Sequence, residues 1–180
     1  MRFLWLYVFI AGVGLAGVRL PGEFRPADEP SKEDWSYFMS QTNDWRLKLW
    51  NYHKNTNEKY DSWNWAWKIG WIKSCGQSPA SYCDEIFRKA ETDQALVVRN
   101  EYAKVLGIRY SETKNPKSSA VLLKMLQDPL NFHNKKPLFI QETILFSLKQ
   151  IGGSGLADAK KITKKHPRLA NYVKRLEKPG

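Results

Sequence analysis

The chain has 180 residues, enough for one domain with a hydrophobic core and too few for two large ones. Its composition, 42% hydrophobic and 26% charged, excludes global disorder. The formal net charge is +11. Nearly all of the excess positive charge lies between Lys114 and Lys178, a segment with 14 basic and four acidic residues. Such a balance favours a polyanionic neighbour, such as anionic lipid, nucleic acid or an acidic envelope polymer.

An apolar segment follows Arg2 at the N-terminus. Residues 3–18, "FLWLYVFIAGVGLAGV", contain no charge, and a basic start before such a run is typical of a secretory signal. Gly14 and Ala16 supply small residues for cleavage after Ala16. An uncleaved signal anchor is the alternative, although the run is slightly shorter than the roughly 18 apolar residues that a spanning helix needs. We interpret residues 1–18 as a signal peptide or signal anchor, which places the rest of the chain in the periplasm or outside the cell.

A proline-rich segment and a long helix are predicted next. Residues 19–30 contain Pro21, Pro26 and Pro30 and are interpreted as an extended linker. Ser31 is a favourable N-cap, with Asp34 three residues on, and apolar residues then recur at helical spacing. This pattern predicts one helix from Ser31 to about His53.

The segment "WNWAWKIGW", residues 63–71, places four tryptophans within nine positions. Asp61 is the expected helix cap. At helical spacing Trp63, Trp67 and Trp71 lie on one stripe, with small residues between them. The alternating pattern of a strand fits less well, because it fails from Lys68 onward. We therefore predict a buried helix. The alternative is an exposed aromatic contact surface for sugar rings, formed by Trp63, Trp65, Trp67 and Trp71.

The two cysteines flank a short Gly/Ser/Pro segment. Cys75 and Cys83 stand in "CGQSPASYC", and a close pair of this kind in an exported chain indicates a structural disulfide. Ser78-Pro79 has the pattern of an N-cap followed by proline at the first helical position, so a helix is expected from there to Ala90. The disulfide would then join two successive helices.

The segment after residue 92 shows a repeating pattern. "VRNEYAKVLG", residues 98–107, carries Val98-Arg99, Ala103 and Leu106-Gly107, and it resembles the first helix of a HEAT repeat. A second helix, "KSSAVLLKMLQD", is closed by Asp128-Pro129. The pattern recurs at an offset of 42 residues, which aligns Val98 with Ile140, Tyr102 with Ile144 and Leu106 with Leu148.

The second copy departs from the HEAT pattern at two aligned positions. Gln141 replaces the arginine and Lys149 replaces the glycine. Pro137 is expected to start its first helix, and Gly152-Gly153 to end it in a left-handed cap. The resemblance covers about residues 93–166, and a short helix from Pro167 is expected to close the stack.

The resemblance implies an all-α fold built from helical hairpins, a HEAT-like α-solenoid with a tryptophan-rich helical N-terminal cap. Residues 31–92 would form that disulfide-containing cap, and residues 93–180 the repeat region with basic C-terminal helices. Because one hairpin cannot bury its apolar face alone, successive hairpins are expected to share a continuous core.

The chain shows few residues that indicate catalysis. His53, His133 and His166 are far apart and are interpreted as surface residues near helix ends, and no nucleophile, phosphate-binding or dinucleotide motif is present. The acids near the aromatic region are Glu33, Asp34, Asp44, Glu58 and Asp61, and a pair of carboxylates in a cleft is what glycan cleavage requires. We expect a non-enzymatic protein without cofactor or metal.

The C-terminal third supplies a candidate binding face. A cationic face for a protein partner or an anion would comprise Lys160, Lys161, Lys164, Lys165, Arg168, Lys174 and Arg175. The expected function is that of an exported helical-repeat scaffold binding a protein of the cell envelope. The alternatives are a protein that binds or cleaves cell-wall glycan and a peripheral adaptor on anionic membrane. Nucleic acid is not expected as a partner, because an export signal removes the chain from the compartments that usually contain nucleic acid.

Overall fold

Helices form almost all of the regular structure in the residues that the computed structural model describes, which are 23–56, 59–134 and 136–178. In chain order they are α1 (Lys32–Ser40), α2 (Asn43–Asn55), α3 (Trp65–Gln77), α4 (Cys83–Glu91), α5 (Leu96–Arg109), α6 (Pro116–Gln127), α7 (Phe139–Ile151), α8 (Gly155–Thr163) and α9 (Pro167–Leu176). Short 3₁₀ helices span Tyr60–Ser62 and Pro129–Asn131, and β1 (Phe132–His133) pairs antiparallel with β2 (Lys136–Pro137). The prediction of an all-α fold is confirmed.

The first helical segment begins as predicted but is interrupted. Ser31 Oγ accepts a hydrogen bond from the Asp34 amide, and the Asp34 carboxylate accepts one from the Ser31 amide, which together form a capping box. The prediction of a single helix to His53 is wrong, because Thr42 caps a new helix by accepting from the Trp45 amide. A threonine hydroxyl satisfies the free amides of a helix start, so it favours a break where the apolar spacing alone predicts continuity.

Part of the segment predicted as a linker belongs to the folded body. Residues 1–22, including the predicted signal, lie outside the described residues. Phe24 is buried, with its ring centroid 5.2 Å from that of Trp45 and 5.7 Å from that of Trp67. The Pro26 carbonyl accepts a hydrogen bond from the Asn64 amide at 2.7 Å. This segment therefore packs against the start of α3.

The starts of α3 and α4 differ from the predicted ones. Asn64, and not Asp61, caps α3, because its side-chain oxygen accepts from the Ala66 amide. Ser78 ends α3 by donating its amide to the Ser74 carbonyl, and α4 begins only at Cys83. The Ser78-Pro79 pattern thus marks the loop between the helices.

The disulfide between Cys75 and Cys83 is confirmed, and it joins the last turn of α3 to the first residue of α4. The two Cα atoms are 5.5 Å apart, and both side chains are buried.

Removing this disulfide is expected to lower the free energy of unfolding by about 2–3 kcal/mol, because the bond restricts a short loop of the unfolded chain. Urea denaturation of the Cys75→Ala/Cys83→Ala protein measures the loss. Adding dithiothreitol should shift the parent protein toward the double variant and leave the variant itself unchanged. Equal denaturation midpoints for the two proteins would contradict a stabilising role.

The aligned positions of α5 and α7 are buried in both helices. Val98, Tyr102 and Leu106 of α5 are buried, as are the residues 42 positions later in α7. The two helices approach closely at Gly107, where a Cβ atom would lie 2.6 Å from Ser147 Oγ. Only glycine fits this contact without a shift of α7.

The ends of α6 and α7 follow the prediction, but the start of α7 does not. Asp128 is the C-cap of α6. Gly152 is the C-cap of α7 with φ +80°, a backbone conformation that favours glycine. Pro137 was expected to start α7, yet it lies in β2, and the helix begins at Phe139. The helical pattern did not indicate the pairing of β1 with β2.

The last helices close the apolar interior. Leu169 and Val173 of α9 are buried, as the predicted closing helix requires. None of the described helices is both long enough and apolar enough to cross a bilayer.

Candidate functional site

Three of the four tryptophans in residues 63–71 are core residues. Trp63, Trp67 and Trp71 are 5%, 4% and 2% exposed, respectively, whereas Trp65 is 49% exposed. Burial is therefore confirmed for three of the four tryptophans, of which Trp67 and Trp71 lie in α3 whereas Trp63 precedes that helix, and the four rings do not form a common exposed surface.

The buried rings pack mainly edge to face. The ring centroid of Trp71 lies 4.9 Å from that of Phe38, 5.5 Å from that of Trp50 and 5.4 Å from that of Tyr82. Such geometry places the positive edge of one ring on the negative face of the next. Trp71 is therefore the centre of an aromatic cluster that α1, α2 and α3 share with the loop before α4.

A buried ion pair links α3 to the segment before α5. Lys68 Nζ lies 2.9 Å from Asp93 Oδ2, and the two side chains are 7% and 2% exposed. Asp93 also accepts a hydrogen bond from the Ala95 amide, while Lys68 Nζ lies 4.9 Å from the centroid of the Tyr60 ring. The sequence analysis did not predict this pair. The one feature that could have indicated it is Lys68, a lysine inside an otherwise apolar helix.

Arg99, the arginine of the HEAT-like pattern, is buried and binds backbone from two loops. Its guanidinium donates to the carbonyls of Asp93, Gln94 and Leu130 and to the side-chain oxygen of Asn131. The pKa of Arg99 is lowered from its ordinary value, because burial disfavours the charged guanidinium more than nearby Asp128 and Asp93 stabilise it. At the aligned position Gln141 is also buried and donates to the Leu126 carbonyl. Arg99 therefore holds the start of α5 to the segment before it and to the 3₁₀ helix after α6, and Gln141 holds the start of α7 to the last turn of α6.

The predicted cationic face is partly neutralised by acids. Lys160 pairs with Glu177, Lys161 with Asp158, and Arg168 with Glu142. Helix α8 ends at Thr163, so the predicted helical face of four lysines is wrong beyond Lys161: Lys164 is the C-cap and Lys165 lies in the following turn. Arg175 lies over the Tyr172 ring, at 5.1 Å from its centroid. Within the described residues, Lys164, Lys165 and Lys174 have no ion-pair partner.

A cleft of about 230 Å³ opens between the C-terminal half of α2, the Tyr60–Ser62 3₁₀ helix and α4. Aromatic residues Trp50, Tyr60 and Trp63 line it together with charged residues from α2 and α4. We call this the aromatic cleft. Of the four tryptophans in residues 63–71, Trp63 lines this cleft. Trp50 and Tyr60 come from other segments, which the sequence pattern did not connect with Trp63.

A second concave surface of about 440 Å³ lies along α5, α7 and α9. Three exposed apolar side chains line it: Ile108 at 56%, Phe139 at 47% and Phe146 at 47%. Lys104 and Tyr172 are also among its lining residues. We call this the α5–α7–α9 groove.

The histidines and acids show no shared centre. His53 is buried against Trp63, which corrects its interpretation as a surface residue, while His133 is exposed and His166 packs on Phe132. No group of three or more His, Cys, Asp or Glu side chains among the described residues has the geometry to hold a metal ion.

The candidate acids are dispersed in the same way. Asp34 belongs to the α1 capping box, and Asp61 lines the aromatic cleft. Glu33 and Asp44 are exposed, whereas Glu58 lies outside the described residues.

These observations define an all-α protein with disulfide-linked, tryptophan-rich N-terminal helices followed by paired helices. Comparisons with protein families, with curated proteins and with solved structures find no match for this chain.

Proposed function

We propose that this protein is a non-catalytic, exported scaffold of HEAT-like helical repeats that binds a protein partner of the cell envelope through the α5–α7–α9 groove. The observation that carries the proposal is the row of exposed apolar side chains, Ile108, Phe139 and Phe146, in one groove. Clustered exposed apolar residues mark interaction sites, whereas scattered ones need no explanation. Aromatic side chains at such positions supply much of the binding energy in protein interfaces.

The repeat assignment is supported by equivalent packing of α5 and α7, the first helices of the two proposed hairpins. These two helices bury matching residues at an offset of 42, and they contact each other closely at Gly107. Stacked hairpins expose an extended surface formed by one helix from each unit. The α5–α7–α9 groove lies on such a surface, since α5 and α7 are the first helices of the two proposed units.

The charges around the groove favour an acidic partner segment. Lys104 lines the groove, and Arg175 lies over Tyr172 at its α9 side. The one acid among the lining residues, Glu142, is paired with Arg168. We therefore propose an amphipathic segment whose apolar side chains contact Phe139 and Phe146 and whose acidic residues face Lys104 and Arg175.

A protein partner is preferred over an anionic membrane as the main ligand. Lys160, Lys161 and Arg168, three members of the predicted cationic face, already pair with acids of the same chain. Their attraction for lipid headgroups is correspondingly reduced. The export proposal rests on residues 1–18 and on the disulfide, which oxidising compartments favour.

Site-directed photocrosslinking tests the groove. A photoreactive phenylalanine analogue replaces Phe146 in the full chain, in cells that produce the protein naturally, and the same analogue at Leu130 is the matched control. Both side chains are 47% exposed, but Leu130 does not line the groove. We expect a discrete protein adduct from position 146 and not from position 130, with the crosslinked peptide rich in acids. Lys104→Glu should reduce the yield, because charges at an interface rim set the association rate.

Several results would overturn this function. A lipid adduct would favour the membrane adaptor, and an adduct between two copies of the chain would indicate self-association. Equal crosslinking from the two positions, or none from position 146, would remove the groove as the binding surface.

A further inference from the structure

One stripe of α7 forms the floor of the α5–α7–α9 groove. Four of the lining residues recur along this helix at intervals of four, three and four positions: Phe139, Thr143, Phe146 and Gln150. Side chains at these intervals lie one above another on the same face of a helix. Phe139 and Phe146 are each 47% exposed, and the two polar residues are partly exposed. The stripe therefore presents accessible side chains over three helical turns, about 16 Å.

The neighbouring helices form the two sides of the groove. Lys104 and Ile108 line it from α5, and Tyr172 lines it from α9. Every lining residue belongs to one of the three helices. Adjacent helices present ridges of side chains with a depression between them, and a further helix packs into such a depression with its own ridges. The groove therefore has the construction of a helix-binding surface.

An extended peptide would find few backbone partners in this groove. Its N–H and C=O groups need hydrogen bonds, which an exposed sheet edge supplies when a peptide is added as a strand. Neither β1 nor β2 contributes a lining residue, and beyond the first turn of α7 the backbone amides of these helices bond within their own helix. A helical partner bonds its own backbone internally and needs side-chain contacts alone.

Cations stand on both sides of the apolar stripe. On the α5 side, Lys104 is exposed and has no ion-pair partner within the described residues. On the α9 side, the Arg175 guanidinium is exposed and lies 5.1 Å from the centroid of the Tyr172 ring. Glu142, the one acid among the lining residues, is already paired with Arg168. A complementary helix therefore carries acids on both sides of its own apolar stripe.

We propose that the segment recognised by the α5–α7–α9 groove is an amphipathic α-helix of at least three turns. Its apolar residues recur at intervals of three and four and contact Phe139 and Phe146, while flanking acids pair with Lys104 and Arg175. This inference rests on the proposed function, and it adds the conformation and the side-chain spacing of the partner.

A synthetic peptide of about 15 residues, near the length at which an isolated helix is marginally stable, tests the inference on the purified full chain. It consists of leucine, glutamate and alanine, with leucines at intervals of four, three and four and glutamates on both sides of them. Fluorescence anisotropy of the labelled peptide measures the dissociation constant. Carbon-13 carbonyls in the peptide separate its infrared amide band from that of the protein, and we expect this band to become helical on binding.

A single proline in the peptide separates helical from extended binding. Proline replaces an alanine that faces solvent at the centre of the peptide, so no contact with the groove is lost. We expect affinity to fall by about a hundredfold, because proline breaks the interior of a helix, whereas an extended peptide accepts it.

The order and charge of the peptide are controlled separately. The same residues with leucine at every second position keep the charge but lose the single apolar face, and they should bind at least about tenfold more weakly. Glutamine in place of every glutamate should weaken binding by about fivefold, the loss of two exposed ion pairs.

Phe146→Ala locates the binding surface. It should weaken the parent peptide by about tenfold, since an aromatic contact in the groove is lost. Leu130→Ala is the matched control, because Leu130 is also 47% exposed but does not line the groove, and it should leave the affinity unchanged.

The helical partner and the proposed function fail in different experiments. Equal affinity of the proline or alternating peptide, a bound peptide without a helical amide band, unchanged affinity in Phe146→Ala, or no saturable binding of the parent peptide would each overturn the helical partner. A protein adduct from position 146 in cells would still retain the groove as the binding surface in these cases. Helical binding of the peptide without such an adduct would support the helix site and remove the envelope partner.

Discussion

Replacing Asp93 with asparagine is expected to lower the free energy of unfolding by about 3–5 kcal/mol, because it leaves the Lys68 ammonium buried without a counter-charge. The asparagine retains the shape of the side chain and an oxygen that accepts from the Ala95 amide. The loss therefore reports the missing charge and not a cavity. Urea denaturation at neutral pH measures the change.

A double-mutant cycle with Lys68→Met isolates the interaction between the two charges. The double variant should regain much of the stability lost in either single variant, because no unpaired charge then remains in the interior. Lys54→Met is the matched control, since it breaks the exposed Lys54–Glu85 pair and should change stability little. Additive losses in the cycle would show that Lys68 and Asp93 act independently and would contradict the pairing.

Trp71→Ala is expected to lower the free energy of unfolding by about 3–5 kcal/mol, the range for removing a buried aromatic side chain. Trp71 is 2% exposed, and its ring contacts the rings of Phe38, Trp50 and Tyr82. Its deletion would leave a cavity at the centre of the aromatic cluster. Denaturation followed by circular dichroism measures the loss.

Trp65→Ala is the matched control within the same nine-residue segment. Trp65 is 49% exposed at the first position of α3, so its removal should change stability by no more than about 0.5 kcal/mol. Similar losses for the two variants would contradict the assignment of Trp71 to the core and Trp65 to the surface.

The core position of Trp71 changes what the tryptophan-rich segment means for function. A segment this rich in indoles is typical of sugar-binding surfaces, yet Trp63, Trp67 and Trp71 mainly hold helices together.

Local sequence signals predicted the features that depend on a few adjacent residues. The N-cap at Ser31, the end of α6 at Asp128 and the positive φ of Gly152 each involve side chains or backbone within one helical turn. The same reasoning failed at Thr42 and Asn64. At both positions a polar side chain that hydrogen-bonds a free amide determined the helix start, and apolar periodicity does not record that choice.

By itself the sequence determined the all-α class, the disulfide between Cys75 and Cys83, and the matching buried positions of α5 and α7 at an offset of 42 residues. These three features follow from the spacing of apolar residues and from the composition of short segments, both of which can be read from the sequence. Only the tertiary structure decided that Lys68 meets Asp93 and which apolar side chains of α5 and α7 stay exposed. It also brought Trp50, Tyr60 and Trp63 to one cleft, because such groupings depend on how helices from distant segments pack and not on the spacing within any one of them.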